Sequence, residues 1–189
     1  LKRKHNDPNK LIIEVNGILE DLQFKEDSSN RFEEALKNIA KYLGFISQRP
    51  EIEYNKGPDV LWKIGNLNFF VIECKNEATV TTIEKDYCNQ LNGSCNWFEE
   101  KYDHTCSYAP IMIHPSFVFE NAASPHSRAR IITKEKLAKF CSSVRDFIKA
   151  VSSNNELGNP ESIRQKLIAY RLRADDLIDN YTISYKVKN

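Results

Sequence analysis

The sequence predicts an α/β fold in which one mixed β-sheet is flanked by helices. Three observations lead to this prediction. An amphipathic helix precedes two short apolar strands, which a Gly-Asn turn separates. A long amphipathic helix follows these strands, and a further buried strand follows that helix. Strands joined by a short turn are expected to be antiparallel and strands joined across a helix parallel, so the sheet should be mixed.

Length and composition indicate one core with additions. A chain of 189 residues, 41% of them hydrophobic, can bury a single proper core. No apolar run approaches membrane-spanning length and no secretory signal is visible, so we expect a cytoplasmic protein without a membrane partner. The net charge is +1, so any affinity for nucleic acid must come from local patches. The five cysteines show no C-x-x-C spacing, which is typical of a reduced protein.

Residues 1–29 are predicted to form an N-terminal extension. Residues 1–6 are basic and are expected to be disordered or a cloning remnant. Residues 11–24 are expected to form a β-hairpin, because Asn16-Gly17 supplies the two positive φ values of a type I′ turn. The chain does not begin with Met, so we expect it to be part of a longer protein.

The core is predicted over residues 30–151 and begins with a helix between Asn30, the expected N-cap, and Gly44, the expected C′ residue. Glu33 lies roughly 80° from the middle of the apolar stripe, so its side chain can reach the edge of the core, whereas Glu34 should face water. Glu33 could also complete a capping box with Asn30, and the two roles are compatible. The apolar stripe consists of Phe32, Leu36, Ile39, Ala40 and Leu43.

A long helix is predicted over residues 82–102, after an extended segment over 49–54 and the two central strands. Trp97 lies outside the apolar stripe of this helix, so another segment or a missing partner must cover it. The stripe consists of Cys88, Leu91, Cys95, Phe98 and Tyr102.

Three further elements complete the predicted core. They are a buried strand over 109–115, a short strand over 130–132 and a helix that Thr133 caps. Residues 152–189 are predicted to form a C-terminal extension that packs on the core. Its expected elements are a helix from Pro160 to about Arg173 and a strand within 181–187.

Charged side chains stand at the ends of the two central strands. The strand from Phe69 to Lys75 is apolar enough to be buried, yet Glu73 and Lys75 should point to one of its faces and Cys74 to the other. Buried charges need a partner or a metal. Asp59 begins the preceding strand, and a hairpin could bring it near Glu73. Two carboxylates beside one lysine predict a site for a hard cation with a positive group next to it.

This arrangement resembles the PD-(D/E)XK nuclease superfamily, which has the restriction-endonuclease-like fold. Pro58-Asp59 matches the first signature of that superfamily, and Glu73-Cys74-Lys75 matches the second. The predicted order of elements, αβββαβ, also matches. The resemblance therefore implies a mixed central sheet with flanking helices, to which the N-terminal hairpin and the C-terminal helical extension are added.

Two further positions enter through the same resemblance, which covers about residues 30–151. Phe32-Glu33 matches the helix glutamate of Mrr-like members. Gln90 stands about where some members carry a catalytic helical glutamine, although Ser94 replaces the usual tyrosine four residues on.

The resemblance implies a Mg²⁺-dependent nuclease, with Mn²⁺ as a substitute ion. Asp59, Glu73 and the backbone carbonyl of Cys74 would hold one or two ions, and Glu33 would add a ligand directly or through water. Lys75 would orient the attacking water or stabilise the developing negative charge. The products would carry a 5′ phosphate. The alternative is a structural ion pair between Lys75 and Glu73 or Asp59.

Binding to DNA would need cations around this site. Such residues would contact phosphates without reading bases, although a solvated charged face is an alternative explanation. The predicted nucleic-acid-binding residues are Lys85, Arg128, Arg130 and Lys134, with Lys136 nearby. Among the histidines, His114 ends a strand, and a hydrogen bond to a loop is its expected role.

Three functional hypotheses follow. The first is a DNA nuclease, as a module of a larger bacterial defence or repair protein with a helicase, of which two copies could pair to cut both strands. The second is a nucleic-acid-binding or scaffold domain that keeps the fold without catalysis. The third is a ribonuclease. The sequence leaves open the cleavage specificity, the choice between endo and exo attack, and the number of metal ions.

Overall fold

The computed structural model describes residues 7–102, 104–153 and 156–188 of the chain. Its helices are α1 (Pro8–Glu20), α2 (Ser29–Tyr42), α3 (Pro50–Tyr54), α4 (Lys85–Lys101), α5 (Lys134–Ser152), α6 (Pro160–Ala169) and α7 (Ala174–Tyr181), with a 3₁₀ turn at Glu156–Gly158. Its strands are β1 (Ile46–Gln48), β2 (Val60–Lys63), β3 (Asn68–Cys74), β4 (Ser107–Ile113), β5 (Val118–Phe119), β6 (Arg130–Ile132), β7 (Ile183–Ser184) and β8 (Lys186–Val187). Within these ranges no helix is long and apolar enough to cross a membrane.

A six-stranded sheet forms the centre of the molecule, in the order β1-β2-β3-β4-β6-β7. Strands β1, β2 and β3 are antiparallel neighbours, β4 and β6 continue parallel to β3, and β7 closes the sheet antiparallel to β6. A separate parallel pair is formed by β5 and β8. The predicted α/β class and the mixed sheet are confirmed.

Strand β3 is buried on both faces, because helices cover both sides of the sheet. Phe70, Ile72 and Cys74 point into the larger hydrophobic cluster, to which α1, α2 and α5 contribute. Phe69 and Val71 point the other way, against the apolar residues of α4. Helix α4 crosses this second face between β3 and β4, which allows these two strands to be parallel.

The prediction of an N-terminal hairpin is wrong, because residues 8–20 form helix α1. The side chain of Asp7 accepts a hydrogen bond from the N–H of Asn9 at 2.9 Å, and Pro8 occupies the first turn. The buried side chains recur every fourth residue and pack against α5. Burial of this face therefore overrides the turn preference of Asn16-Gly17. The buried residues of α1 are Leu11, Val15 and Leu19.

The start of helix α2 differs from its prediction. The helix begins at Ser29, so Asn30 lies inside it and the expected capping box between Asn30 and Glu33 is wrong. The carboxylate of Glu77 instead accepts hydrogen bonds from the N–H groups of Ser28 and Ser29, at 2.7 Å each. The segment that follows β3 thus holds the first turn of α2, 48 residues away in sequence.

Two other predictions for α2 are confirmed. The side chain of Glu33 is 13% exposed, whereas that of Glu34 is 46% exposed. Gly44 follows the helix with a φ of +84°, the left-handed conformation expected of a C′ residue.

Residues 49–54, which were expected to be extended, contain the short helix α3. Pro50 occupies its first turn, where the missing N–H costs nothing. This helix and the loop after it cover Trp97, which is only 8% exposed. Gly57 has a φ of +103°, and a Cβ at this position would come within 2.8 Å of the indole of Trp97. A segment of this chain therefore covers Trp97.

The C-terminal residues pack on the core, but with more elements than predicted. Helix α6 starts at Pro160 and ends at Ala169, and α7 follows it. Arg171 has a φ of +57°, which is incompatible with one continuous helix. The expected final strand is divided, since β7 extends the main sheet and β8 pairs with β5. Leu172, Leu177 and Tyr181 are buried in the larger cluster.

We predict that Glu77→Gln lowers the melting temperature at pH 7. Hydrogen bonds from the backbone of Ser29 and Ser28 lower the pKa of Glu77, so its contribution to stability is present above its ordinary pKa of 4.5 and is lost as pH falls through the lower value of the folded state. Thermal unfolding between pH 3 and pH 7 measures this. The wild type should lose more stability on acidification than Glu77→Gln. Glu26→Gln makes the same charge change on an exposed loop and serves as the control; equal effects of the two variants would contradict the prediction.

Candidate active site at the end of strand β3

The hairpin of β2 and β3 brings three charged side chains together. The antiparallel register pairs Val60 with Ile72, so Asp59 stands opposite Glu73. The Nζ atom of Lys75 lies 3.4 Å from a carboxylate oxygen of Glu73 and 4.0 Å from one of Asp59. The strand alternation places Cys74 on the opposite face, in the larger cluster. The two acids and the lysine therefore converge as the sequence predicts.

The backbone pairing of the hairpin ends at Pro58, so the N–H and C=O groups of Cys74 do not pair with β2 there. In an antiparallel strand pair, hydrogen-bonded positions alternate with positions that are not hydrogen-bonded. Ile64 and Asn68 occupy a hydrogen-bonded position. Counted from there along the register, Pro58 and Cys74 stand opposite each other at another hydrogen-bonded position. Pro58 has no N–H to donate to the carbonyl of Cys74. The N–H of Cys74 is taken by the carboxylate of Asp59 at 2.7 Å. Because the N–H and C=O of one strand residue face the same edge, the Cys74 carbonyl lies on the side of Asp59.

Glu73 is held in a low-dielectric position with one neutral and one charged partner. Its side chain is 6% exposed, and the hydroxyl of Ser94 donates to it at 2.6 Å. Burial and the nearby charge of Asp59 raise its pKa to about 7, although Lys75 and Ser94 act in the opposite direction. Burial by itself would lower the pKa of Lys75, but Glu73 and Asp59 outweigh it and raise that pKa above 10.5. Lys75 is therefore an ammonium ion at neutral pH.

These groups line a polar cavity of about 450 Å³. Gln90 lies in its wall, one turn before Ser94 on α4, so the structure brings this predicted residue to the same cavity. Gln90 and Glu51 are exposed, which opens the cavity to solvent at this side. The lining consists of Glu51, Gly57, Asp59, Glu73, Lys75, Gln90, Gly93 and Ser94.

Glu51 is a site residue that the sequence analysis missed. It lies in the first turn of α3 and lines the same cavity as Asp59. The neighbouring carboxyl of Asp59 and burial raise the pKa of Glu51. We did not predict Glu51 as a site residue because residues 49–54 were expected to be extended. Pro50 at a helix start, followed by Glu51, was the signal that could have found it.

Glu33 lies beside the cavity but does not line it. Its carboxylate forms a buried ion pair with the guanidinium of Arg49, which also donates to Asn30 at 2.8 Å. Burial and the charge of Asp59 raise the pKa of Glu33 to about 6, against the lowering effect of Arg49. Arg49, a second residue that the sequence analysis missed, thus holds Glu33 near Asp59 without a direct place in the cavity.

The four predicted phosphate-binding cations do not share one surface. Lys85 is exposed at the start of α4, on the side of the sheet where Glu73 lies. Arg128 lies over the ring of Tyr108, which pairs with Phe69 and is therefore about 13 Å along the strands from Glu73.

The other two cations contact the terminal segments. Arg130 donates to the hydroxyls of Thr182 and Ser184 near β7, at 2.9 and 2.5 Å. Lys134 lies over the ring of Phe24. None of the four lines the cavity, and of them Lys85 lies on the helix that carries Gln90 and Ser94.

His114 has the role that the sequence predicts, a hydrogen bond to a loop. Its Nδ1 atom accepts from the N–H of Ser116 at 2.9 Å, and the ring lies 5.9 Å from that of Tyr87. Burial lowers its pKa to about 4, so it is neutral at physiological pH. The cysteines are free thiols, four of the five buried, in agreement with the predicted packing role of Cys88 and Cys95.

The donor set at this site suits Mg²⁺. In the part of the chain that the structure describes, no group of three or more His, Cys, Asp or Glu side chains is arranged to hold a metal ion. Mg²⁺ does not need such a group, since it usually takes one or two carboxylates and keeps several waters. Asp59 and Glu73 would supply the carboxylates, and the Cys74 carbonyl, which Pro58 cannot engage, would supply a neutral oxygen at the same edge.

Compared with models of protein families, with curated proteins and with solved structures, the chain matches none of them.

We predict that the contribution of Glu73 to the free energy of unfolding, measured in EDTA, falls as pH rises from about 4.5 through about 7. The folded state binds the proton of Glu73 more tightly than the unfolded state, because burial raises its pKa to about 7. Glu73→Gln should remove most of this slope and be more stable than the wild type at pH 8, by about 1 to 3 kcal/mol. Urea denaturation at pH 5 and pH 8 provides the measurement.

Glu100→Gln, an exposed change on the same helix as Ser94, is the control and should leave the slope unchanged. If the wild type and Glu73→Gln lose the same stability between pH 5 and pH 8, Glu73 does not carry the buried charge.

Proposed function

We propose that this protein is a Mg²⁺-dependent nuclease that hydrolyses phosphodiester bonds in DNA, with the restriction-endonuclease-like fold of the PD-(D/E)XK superfamily. The observation that carries the proposal is the convergence of Asp59, Glu73 and Lys75 at the end of β3, in a cavity open to solvent. The order α2, β1, β2, β3, α4, β4 supports the fold assignment, as do the antiparallel pairing of β2 with β3 and the parallel pairing of β3 with β4.

Asp59, Glu73 and the carbonyl of Cys74 would hold the ion. When bound, Mg²⁺ supplies Lewis acidity, which lowers the pKa of a water molecule and offsets the negative charge of the phosphate. Lys75 is kept protonated by its two carboxylate neighbours, so it can donate hydrogen bonds to an attacking water or to phosphate oxygens. Ser94 orients the Glu73 carboxylate through its 2.6 Å hydrogen bond.

Glu51 and Gln90 line the solvent-exposed side of the cavity, from which a phosphate would enter. Glu51 lines the cavity from the side of α3, next to Asp59, whose carboxyl raises the pKa of Glu51. Gln90, exposed at the rim on α4, can donate to a phosphate or to a water with its side-chain amide. The positioning of Glu33 by Arg49 keeps a further negative charge close to Asp59.

The second candidate is a binding or scaffold domain without catalysis. The distances of Lys75 favour it, because an ammonium that pairs with both Glu73 and Asp59 satisfies the charges of the site without a metal. A module of a larger defence or repair protein with a helicase, a cytoplasmic location and pairing of two copies are compatible with either candidate. A ribonuclease, which would cleave RNA in place of DNA, is the third candidate.

We predict that the protein nicks supercoiled plasmid and cuts linear DNA in Mg²⁺ or Mn²⁺ but not in EDTA. Lys75→Ala and Asp59→Ala should each reduce the rate by about 10² to 10³-fold, because each removes charge stabilisation that the reaction requires. Gel assays with plasmid, linear duplex and RNA measure this and separate the substrate classes.

Lys149→Ala, a change of the same type on the exposed side of α5, is the control and should keep full activity. Circular dichroism and urea denaturation verify that each variant is folded. Binding of DNA without cleavage at any metal concentration would favour the scaffold, and nicking that persists in folded Lys75→Ala would overturn the assignment of the site.

A further inference from the structure

The polar cavity that Asp59 and Glu73 line is called the acidic cavity below. A second cavity, of about 500 Å³, lies next to it. Three aromatic side chains and two lysines dominate its walls, and the lining that the structure describes includes no carboxylate. The size falls within the range of small-molecule and cofactor sites. We name it the aromatic cavity. It is lined by Gln48, Tyr54, Lys56, Trp97, Lys101 and Tyr102.

The rings of this cavity differ in how firmly they are held. Tyr102 stacks on Phe98 with ring centroids 4.4 Å apart and meets Trp97 edge to face at 6.5 Å. Trp97 is fixed from behind by Gly57, whose lack of a side chain allows the close contact. Tyr54 is 53% exposed. Two rings thus form a packed wall, and Tyr54 lines the cavity at its exposed side.

The cationic rim of the aromatic cavity selects for negative charge. Lys56 and Lys101 are both exposed, on the loop after α3 and in the last turn of α4. Gln48 adds a side-chain amide that can both donate and accept hydrogen bonds. Aromatic rings that stack bases, beside lysines that contact phosphates, are the combination that proteins use for single-stranded nucleic acids.

Helix α4 joins the aromatic cavity to the acidic one. Gln90 and Ser94 line the acidic cavity, and Trp97 and Lys101 line the aromatic cavity. Their spacing of four, three and four residues places all four on one face of the helix. One helical turn, about 5 Å along the axis, therefore separates the hydroxyl that holds Glu73 from the indole.

The loop after α3 lies along both cavities as well. Lys56 lines the aromatic cavity, and Gly57, the next residue, lines the acidic one while contacting the ring of Trp97. The two cavities thus share a wall. A strand whose phosphate lies at Lys75 can place a neighbouring base against Tyr54 and Tyr102.

We propose that the aromatic cavity binds the base of an unpaired nucleotide, so that the preferred substrate is single-stranded DNA or a duplex with an unpaired segment. This specificity rests on the proposed nuclease function, but the binding itself does not require catalysis. A paired base could not enter without being extruded from its duplex.

The test is the affinity for a fluorescent single-stranded oligonucleotide of about ten nucleotides, measured in EDTA beside a blunt duplex of the same sequence. The wild type should bind the single strand more tightly. Tyr54→Ala should weaken this binding about tenfold, which lies within the range of roughly 5- to 150-fold that stacking on one base contributes. Ile52→Ala is the matched control, because Ile52 lies on the same short helix, is 64% exposed and does not line the cavity.

A second comparison tests the cationic rim. Lys101→Ala should weaken binding of the single strand and reduce its salt dependence, whereas Lys149→Ala on α5 should do neither. In a Trp62→Phe variant, Trp97 is the remaining tryptophan of the chain, and the oligonucleotide should quench its fluorescence. Quenching that Tyr54→Ala abolishes places the base in this cavity.

Equal affinity for the single strand and the blunt duplex in the wild type, or an equal loss in Ile52→Ala and Tyr54→Ala, would overturn the proposal. Absence of quenching in folded Trp62→Phe would do so as well. A protein that binds the single strand through Tyr54 but cleaves nothing would retain this site and lose the nuclease assignment. A protein that cleaves blunt duplex at the rate of single strands would retain the nuclease and lose the proposed specificity.

Discussion

The hydrogen bond from the N–H of Cys74 to the carboxylate of Asp59 is the contact on which the site depends. It takes the place of the ladder bond from the Cys74 N–H to the Pro58 carbonyl, which accepts from the N–H of Glu51 at 3.3 Å instead, so it fixes Asp59 against the end of β3 while β2 and β3 part. Glu73 and Lys75 then fall on the same face as Asp59, because strand side chains alternate. The interrupted backbone pairing, the Asp59 carboxylate and the alternation of strand side chains together concentrate three charges at the end of a strand pair whose other buried residues are apolar.

The concentration of charge has a cost that the rest of the fold offsets. Glu73 is nearly buried, and the negative charge of Asp59 stands close to it, so the ionised state is disfavoured unless Lys75 or a cation is present. The apolar faces of α2, α4 and α5 supply the stability that permits this arrangement. The clamp of Glu77 on the first turn of α2 ties the segment after β3 to the opposite layer. Clusters of buried charge at functional sites typically lower the free energy of unfolding, which the packing of the remaining fold offsets.

Helix α4 contributes residues to both cavities. Its apolar stripe packs on the sheet, while a neighbouring face carries Gln90, Ser94, Trp97 and Lys101 past the acidic cavity and the aromatic cavity in turn. Helix α3 and the loop after it do the same from the other side, with Glu51 in one cavity and Tyr54 in the other. Two elements therefore set the position of the aromatic cavity relative to the acids.

Features that depend on short-range order could be predicted from the amino-acid sequence. The α/β class, the strand pair, the long helices and the meeting of Asp59, Glu73 and Lys75 follow from periodicity and from a hairpin whose register is local. Only the tertiary structure decided what depends on contacts between distant segments. It turned residues 8–20 into a helix against α5, brought Glu51 to Asp59, paired Glu33 with Arg49 and separated Arg128, Arg130 and Lys134. The reason is that side-chain periodicity reports which face of an element is apolar, whereas packing selects which other element covers that face.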